Sequence, residues 1–427
     1  MEKIPAELCF QIAGDLPKVD LKSLRLALKH FYSVSTTLLF NRVYASLHLK
    51  DLEVLSAISR HPIMSVAVQE IVYLGLFFQP LRPAEKLPKC SRQYYDARRE
   101  EDEATMREGK DVAIISEALA RMPNIRTVIL TNHWLPTRNL LGDCHPSLRS
   151  MKIYPNDERL GGPLAREYPP FAKKPSGGPL VRHDGVNIDP SFRVMCHAIS
   201  IADLPVQAFS VDYRVQIEPG RPRRGLCPAT FHLEPDELEY CRHAFRHLRK
   251  ISFSLTHPDY FSDSVIPQLE WNSLQEGNIA KIFAAATELE ELTFDFTDFF
   301  LPGTFLDLRS DEVYVPLEKY LGTHTWHRLR SIGLFSKELQ PADLLALLHR
   351  HRKTLKHLSL EGITLHDGSW EKVAEEVRQW LILESAHFSS LRERWDEEDH
   401  GLLPKSIYDN ELEKYMLYGK SGSIYPE

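Results

Sequence analysis

One hexamer, apolar at its first, fourth and sixth positions, returns along the chain and limits what it can fold into. It is read in VQEIVY (Val68 to Tyr73), LRSMKI (Leu148 to Ile153), VQAFSV (Val206 to Val211) and LRKISF (Leu248 to Phe253). It continues in LEELTF (Leu289 to Phe294), LRSIGL (Leu329 to Leu334) and LKHLSL (Leu355 to Leu360), with a looser copy in IRTVIL (Ile125 to Leu130). The second half of most copies sets a small or polar residue between two apolar ones, the pattern of a short strand with one buried face. Helical segments lead into several copies: DELEYCRHAFRHL precedes LRKISF, GNIAKIFAAATEL precedes LEELTF, and PADLLALLHRHRKTL precedes LKHLSL. The unit is a helix followed by a strand. Copies starting at 206, 248, 289 and 329 are spaced by 42, 41 and 40 residues, and the next step, to 355, is 26. Units of this kind connect through right-handed crossovers and lay their strands side by side, so the expectation is an α/β fold built on a parallel sheet.

The hexamer resembles the L-x-x-L-x-L core of leucine-rich repeats, in units mostly longer than is usual for them. That resemblance implies an irregular leucine-rich-repeat-like α/β solenoid over residues 49–390, with helices lining a curved parallel sheet. Two insertions interrupt it. Residues 80–111 are highly charged, and their second half reads as a solvated helix. Residues 155–190, with seven prolines and five glycines, read as a long loop on the edge. Residues 391–427 read as a tail.

Residues 1–48 lack the hexamer. The stretch IPAELCFQIAGDLPKVDLKSLRLALKHFY (Ile4 to Tyr32) carries a helical pattern instead. Leu8 and Ile12 share a face of a short helix after Pro5, and Leu16-Pro17 ends it because proline disfavours α geometry in the residue before it. Asp20 is placed to cap a second helix, on which Leu21, Leu24, Leu28 and Phe31 form one stripe. Two short helices make a poor core, so part of this apolar face calls for a partner surface. The first fifty residues hold seven Lys/Arg against four acids, a mildly basic segment on a chain of net charge -7.

This opening stretch resembles an F-box. The likeness is carried by Ile4-Pro5-Ala6-Glu7-Leu8, Leu16-Pro17, Asp20-Leu21, Leu24-Arg25-Leu26 and Lys29-His30-Phe31-Tyr32, with Ile4 standing where the family has leucine. LLFNRVY (Leu38 to Tyr44) resembles the continuation found in fungal F-box proteins. A looser likeness to fungal F-box proteins with degenerate repeats runs through Ile115 to Leu130, Leu355 to Trp370 and Leu412 to Pro426. The resemblance implies an F-box helical hairpin that docks on the S-phase-kinase-associated adaptor of a cullin-RING ubiquitin ligase through Pro5, Leu8, Leu16, Pro17, Leu21, Leu24, Leu28 and Phe31. Leu24, Leu28 and Phe31 are expected to be partly internal, and Pro5, Leu8 and Pro17 to face the adaptor. It further implies that the repeat region recruits an unknown protein substrate.

On a sheet of this kind the substrate would meet the outward residues of the strands. These are Ser210 and Asp212, Ser252 and Ser254, Thr293 and Asp295, Gly333 and Phe335, and Ser359 and Glu361: a small, polar, slightly acidic surface suited to a basic peptide or protein. A competing reading makes the chain a repeat scaffold in which the helical hairpin caps the solenoid.

Catalysis and cofactors find no support in the sequence. No phosphate loop, H-E-x-x-H, G-x-S-x-G, G-x-G-x-x-G or EF-hand loop occurs, and GKSGS (Gly419 to Ser423) lacks the phosphate-loop spacing. His183-Asp184 and Cys196-His197 are adjacent in sequence, so their side chains point apart. HRHRK (His349 to Lys353) reads as cations at a helix C-terminus, and DEEDH (Asp396 to His400) as solvated surface. The net charge of -7 argues against broad nucleic-acid binding. The cysteines Cys9, Cys90, Cys144, Cys196, Cys227 and Cys241 show no metal-site spacing and read as reduced thiols. The most apolar run, Val66 to Phe78, is cut by Gln69 and Glu70, and Pro5 and Glu7 fall where a signal peptide would be apolar. The expectation is an intracellular protein of the cytoplasm or nucleus, without catalytic residues, metal or cofactor.

Overall fold

The computed structural model describes residues 5–75, 89–131, 181–183, 186–188, 190–212, 225–255, 272–296, 314–393, 405–406 and 409–419. Contacts divide the chain into two units, Met1–Val206 and Gln207–Glu427.

The first unit opens with helices α1 (Ala6–Gly14), α2 (Lys18–Ala27) and α3 (Tyr32–Leu39). Pro5 and Pro17 stand at the N-caps of α1 and α2 in extended backbone. The Pro17 carbonyl accepts the first helical bond from the Leu21 N–H at 3.0 Å. Asp20 therefore lies in the first turn of α2 instead of capping it, because proline at 17 fixes the start three residues earlier. The third helix supplies what two lack: Val34 joins Cys9, Ala13, Leu21 and Phe31 in a buried cluster, with Leu16, Leu24, Leu38 and Leu39 packed around it.

Three parallel strands follow, β1 (Arg42–Ser46), β2 (Glu70–Leu74) and β3 (Thr127–Thr131), in register Val43↔Ile71↔Val128 and Ala45↔Tyr73↔Leu130. All six of these residues are buried. Between β1 and β2 run α4 (Leu49–Arg60) and the single turn α5 (Met64–Ala67); α6 (Lys89–Arg107) and α7 (Lys110–Ala120) precede β3. A hairpin of β4 (Val181–His183) and β5 (Val186–Ile188) precedes α8 (Pro190–Ala202), and α7 packs between α4 and α8. The helix expected in the second half of 80–111 is α6, but Asp102 and Thr105 on it are buried. The hexamer LRSMKI and most of the loop expected at 155–190 lie outside the described residues.

In the second unit β6 (Ala208–Asp212), β7 (Lys250–Ser254), β8 (Glu291–Asp295), β9 (Ser331–Phe335), β11 (His357–Glu361) and β13 (Ser385–Ser389) lie side by side, all parallel. Helices α9 (Pro235–Phe245), α10 (Asn278–Ala284), α11 (Leu317–Leu321), α12 (Pro341–Arg350) and α13 (Trp370–Arg378) intervene in sequence, and each packs against the next. The helical segments read before LRKISF, LEELTF and LKHLSL are α9, α10 and α12. Aromatic rings fill the space beneath the strands: Phe253 lies 5.2 Å from Phe283 of α10 and 5.9 Å from Phe294 of β8, and Phe209 lies 5.1 Å from Phe245 of α9.

Each described hexamer uses its positions in the same way. The first, fourth and sixth residues, such as Leu248, Ile251 and Phe253, are buried. At Gln69, Gln207, Arg249, Glu290, Arg330 and Lys356 the second residue turns its carbonyl to the next strand and accepts two N–H groups at once. Gln207 O accepts from Arg249 and Lys250 at 2.8 and 3.0 Å, and Arg249 O accepts from Glu290 and Glu291 at 2.7 and 2.9 Å. Because the strand pairing uses the backbone of this position, its side chain is left to vary among polar residues, Asn41 and Gln69 in the first unit and Gln207, Arg249, Glu290, Arg330 and Lys356 in the second, where Arg249 pairs with Glu290 at 3.8 Å and Lys356 with Glu384 at 3.3 Å.

Beyond β9, β11 and β13 the chain turns sharply at Ser336, Gly362 and Ser390, with φ of 55°, 64° and 55°. It continues into β10 (Glu338–Leu339), β12 (Thr364–Leu365) and β14 (Arg392–Glu393), which pair in parallel, with β15 (Lys405–Ser406) antiparallel to β14. Part of the segment read as a tail is folded: α14 (Asp409–Tyr418) packs on β13 and buries Leu412 and Met416.

Candidate functional site

The expected partner-facing residues divide by burial. Leu21 and Phe31 are buried in the helical cluster, and Leu16 and Leu24 pack half-buried against it. Pro5, Leu8, Pro17 and Leu28 are exposed, Leu8 to 48%. On α1 the inward pair is Cys9 and Ala13, both small, one turn apart. That choice turns Leu8 and Ile12, also one turn apart, outward, with Ile12 54% exposed. Phe10 is exposed as well. On α2 a second stripe, Val19 and Leu26 at 71% and 87% exposure, lies two turns apart with exposed Lys22 between them. Ile12, Phe10, Val19 and Leu26 were absent from the expected set. A seven-residue spacing of apolar side chains across Lys22 is the signal that marks the last two.

This apolar surface is set among cations. Lys18, Lys22, Arg25 and Lys29 all lie on or just after α2, and Arg25 rests 5.2 Å from the Tyr32 ring centroid and 5.9 Å from that of Phe40. Nearby, a polar depression of about 820 Å³ is bordered by Lys18, Arg42, Glu70 and Arg126. Arg42 pairs with Glu70, and Arg126 donates to the carbonyls of Pro123 and Ile125 at 2.8 and 2.9 Å.

In the second unit, alternation along the strands separates two faces. Ile251, Phe253, Leu292 and Phe294 point to the helices, so Ser252, Ser254, Thr293 and Asp295 leave the opposite face. Register gathers the expected substrate-facing residues into two rows. Ser210, Ser252, Thr293, Gly333 and Ser359 form one, continued by His387. Ser254, Asp295, Phe335 and Glu361 form the other. Asp212 is the last residue of β6. Ser254 and Asp295 are buried, Ser210, Ser252, Thr293, Phe335 and Ser359 half-buried, and Glu361 exposed.

Among the described residues no group of His, Cys, Asp or Glu is arranged to hold a metal ion, and no helix is long and apolar enough to cross a membrane. Cys9, Cys196, Cys227 and Cys241 form no disulfide. Cys196 and His197 are neighbours on α8, with Cys196 fully buried and His197 half-buried; Asp184 lies outside the described residues. The HRHRK run straddles the end of α12: Arg350 donates to the carbonyls of Gly322 and His324 at 2.7 and 3.3 Å, while His351 is buried. No protein-family model matches the chain, and no curated protein matches it.

Proposed function

We propose that the chain is an F-box-type substrate receptor of a cullin-RING ubiquitin ligase, non-catalytic itself, that docks on the S-phase-kinase-associated adaptor through its N-terminal helices. Its repeat-like region, read as an irregular leucine-rich-repeat-like solenoid, presents the strand face to a protein substrate. The observation that carries the reading is the exposed set Leu8, Ile12, Val19 and Leu26 on α1 and α2, outside a cluster that already buries Leu21 and Phe31. Large apolar side chains at this exposure on two consecutive helices belong against another surface. The cations around them, Lys18, Lys22 and Lys29, suit a partner whose groove is rimmed by carboxylates.

The test is co-purification with the adaptor, comparing wild type with Leu8→Asp/Ile12→Asp. Both positions are exposed, so the substitutions spare the cluster beneath. Retention by wild type and loss in the variant supports the reading; equal retention or no retention by either overturns it. A second reading, a scaffold whose N-terminal helices cap the sheet, is favoured by the packing of α3 on α5 in front of β2. It predicts that removing residues 1–45 unfolds the remainder, whereas the receptor reading predicts a folded remainder.

A further inference from the structure

We propose that the depression at the leading ends of β1, β2 and β3 is a binding site for the carboxylates of an extended acidic segment of a protein partner. The inference rests on the proposed reading of α1 and α2 as a docking face only in naming a protein as the occupant, and it adds the charge that such a partner carries beside that face.

Strand register builds the site from two rows. Arg42, Glu70 and Thr127, the first residues of their strands, stand side by side. The residues before them, Asn41, Gln69 and Arg126, are joined through the backbone. Asn41 O accepts from the Gln69 and Glu70 N–H groups at 2.8 and 3.0 Å, and Gln69 O from those of Arg126 and Thr127 at 2.9 and 3.2 Å. With strands about 4.8 Å apart, each row extends roughly 10 Å across the three strands. All six residues border the depression of about 820 Å³. Asn41 and Gln69 are exposed, and their side-chain amides make no hydrogen bond among the described residues. The Arg126 Nη1 donates to the Pro123 and Ile125 carbonyls, which fix the guanidinium without cancelling its charge. Arg126 has no carboxylate partner among the described residues, whereas Arg42 is answered by Glu70.

The second unit closes the same two positions with its own cross-strand ion pairs. Arg249 pairs with Glu290 at 3.8 Å, Lys250 with Glu291 at 2.5 Å and Lys356 with Glu384 at 3.3 Å. There the chain supplies both signs. In the two rows of the first unit Glu70 is the one carboxylate, set against Arg42 and Arg126, and neutral amides occupy Asn41 and Gln69. What these rows leave open is a carboxylate for Arg126. A guanidinium presents a planar fork of donors that matches a carboxylate. Primary amides both donate and accept, which is what the backbone of an extended chain asks of its neighbours. A depression of this width spans several such groups, so a segment of chain fills it better than a single small anion. Lys18, on its border, directly precedes Val19 of the exposed apolar stripe on α2. A partner chain that crosses Val19 therefore meets the depression at the adjoining residue.

The test is fluorescence anisotropy on the full chain with a labelled glycine-serine peptide that carries several glutamates, against the same peptide with glutamines in their place. The glutamate peptide binds saturably, and the glutamine peptide loses about tenfold or more. Gln69→Glu changes an exposed side chain and sets a carboxylate beside Arg126, so it weakens the glutamate peptide by about fivefold or more. Arg126→Gln weakens it by about tenfold. Leu8→Asp/Ile12→Asp leaves it unchanged, so failure of the docking reading and failure of this site show in different variants. Inorganic phosphate displaces the peptide no better than sodium chloride of the same ionic strength. Equal binding of the glutamate and glutamine peptides, no saturable binding, or wild-type affinity in the folded Gln69→Glu protein overturns the proposal. Displacement by phosphate beyond the effect of ionic strength overturns the peptide as ligand in favour of a small anion.

Discussion

His351 stacks on Trp326, their ring centroids 5.5 Å apart and their planes 21° from parallel, and His324 meets the same indole edge-on at 4.1 Å. Burial pushes both imidazoles down to about 4, and the neighbouring Arg350 guanidinium pushes the same way. A histidine held below its free value of about 6.5 takes up protons more readily when the chain unfolds, so its contribution is present above that value. It is lost as pH falls from about 6.5 to about 4. For His351 alone the loss approaches about 3 kcal/mol at the lower end, and less for the more exposed His324. Urea unfolding at pH 7 and pH 4.5 should show this fall, and His351→Leu should remove much of the histidine-linked part of it. A stability difference between the two pH values that is the same in wild type and His351→Leu would contradict the assignment.

Asp111 works in the opposite direction. It is buried at the start of α7, where Oδ1 accepts the Val112 N–H at 2.8 Å and Oδ2 has no hydrogen-bond partner, and burial pushes it up to about 6. A carboxyl raised above its free value favours folding at low pH, and that contribution is lost as pH rises through about 6. Ionised Asp111 therefore costs stability at neutral pH. Asp111→Asn keeps the Oδ1 acceptor and removes the charge, so the melting temperature should rise at pH 7.5, by the equivalent of about 1–2 kcal/mol, and change little at pH 5. Differential scanning calorimetry at the two pH values is the measurement.

At β13 the Phe388 N–H donates to the Glu413 Oε1 of α14 at 2.6 Å, so a side chain takes the place of a neighbouring strand. Uncovered strand edges are sites of aberrant pairing. Glu413→Ala should cost about 1–2 kcal/mol and speed hydrogen exchange of the Phe388 amide, leaving that of Leu334 unchanged. Unaltered exchange at Phe388 would sink this role for α14.

Where the sequence was legible, and where it was not, follows from side-chain size. Hexamers whose three apolar positions hold Leu, Ile, Val or an aromatic residue announce their strands. The strands β1 and β13 use the same pattern in Phe40, Val43, Ala45 and in Leu383, Ala386, Phe388, where an alanine is too small to mark the core by hydropathy. Helix α3 was hidden because YSVSTTLL is rich in β-branched and hydroxyl residues, and tertiary packing of Val34 overrides their weak helix preference. The turns at Ser336 and Ser390 adopt positive φ without the glycine that announces Gly362. Burial of His351 is invisible in HRHRK, since nothing local tells a helix-ending cation from a ring laid on a distant tryptophan. The outward stripe of Val19 and Leu26 was masked by the stronger inward stripe of Leu21 and Leu24 on the same helix.

The central claim is that the N-terminal helices dock on the adaptor through Leu8, Ile12, Val19 and Leu26. The most direct measurement is a titration of the purified full chain with the purified adaptor at low and high salt, beside Leu8→Asp/Ile12→Asp and Val19→Asp/Leu26→Asp. The account predicts micromolar or tighter binding that weakens with salt through Lys18, Lys22 and Lys29, and a loss of about 100-fold or more in each folded double variant. Binding of both variants with wild-type affinity, or no binding by the wild type, would contradict it.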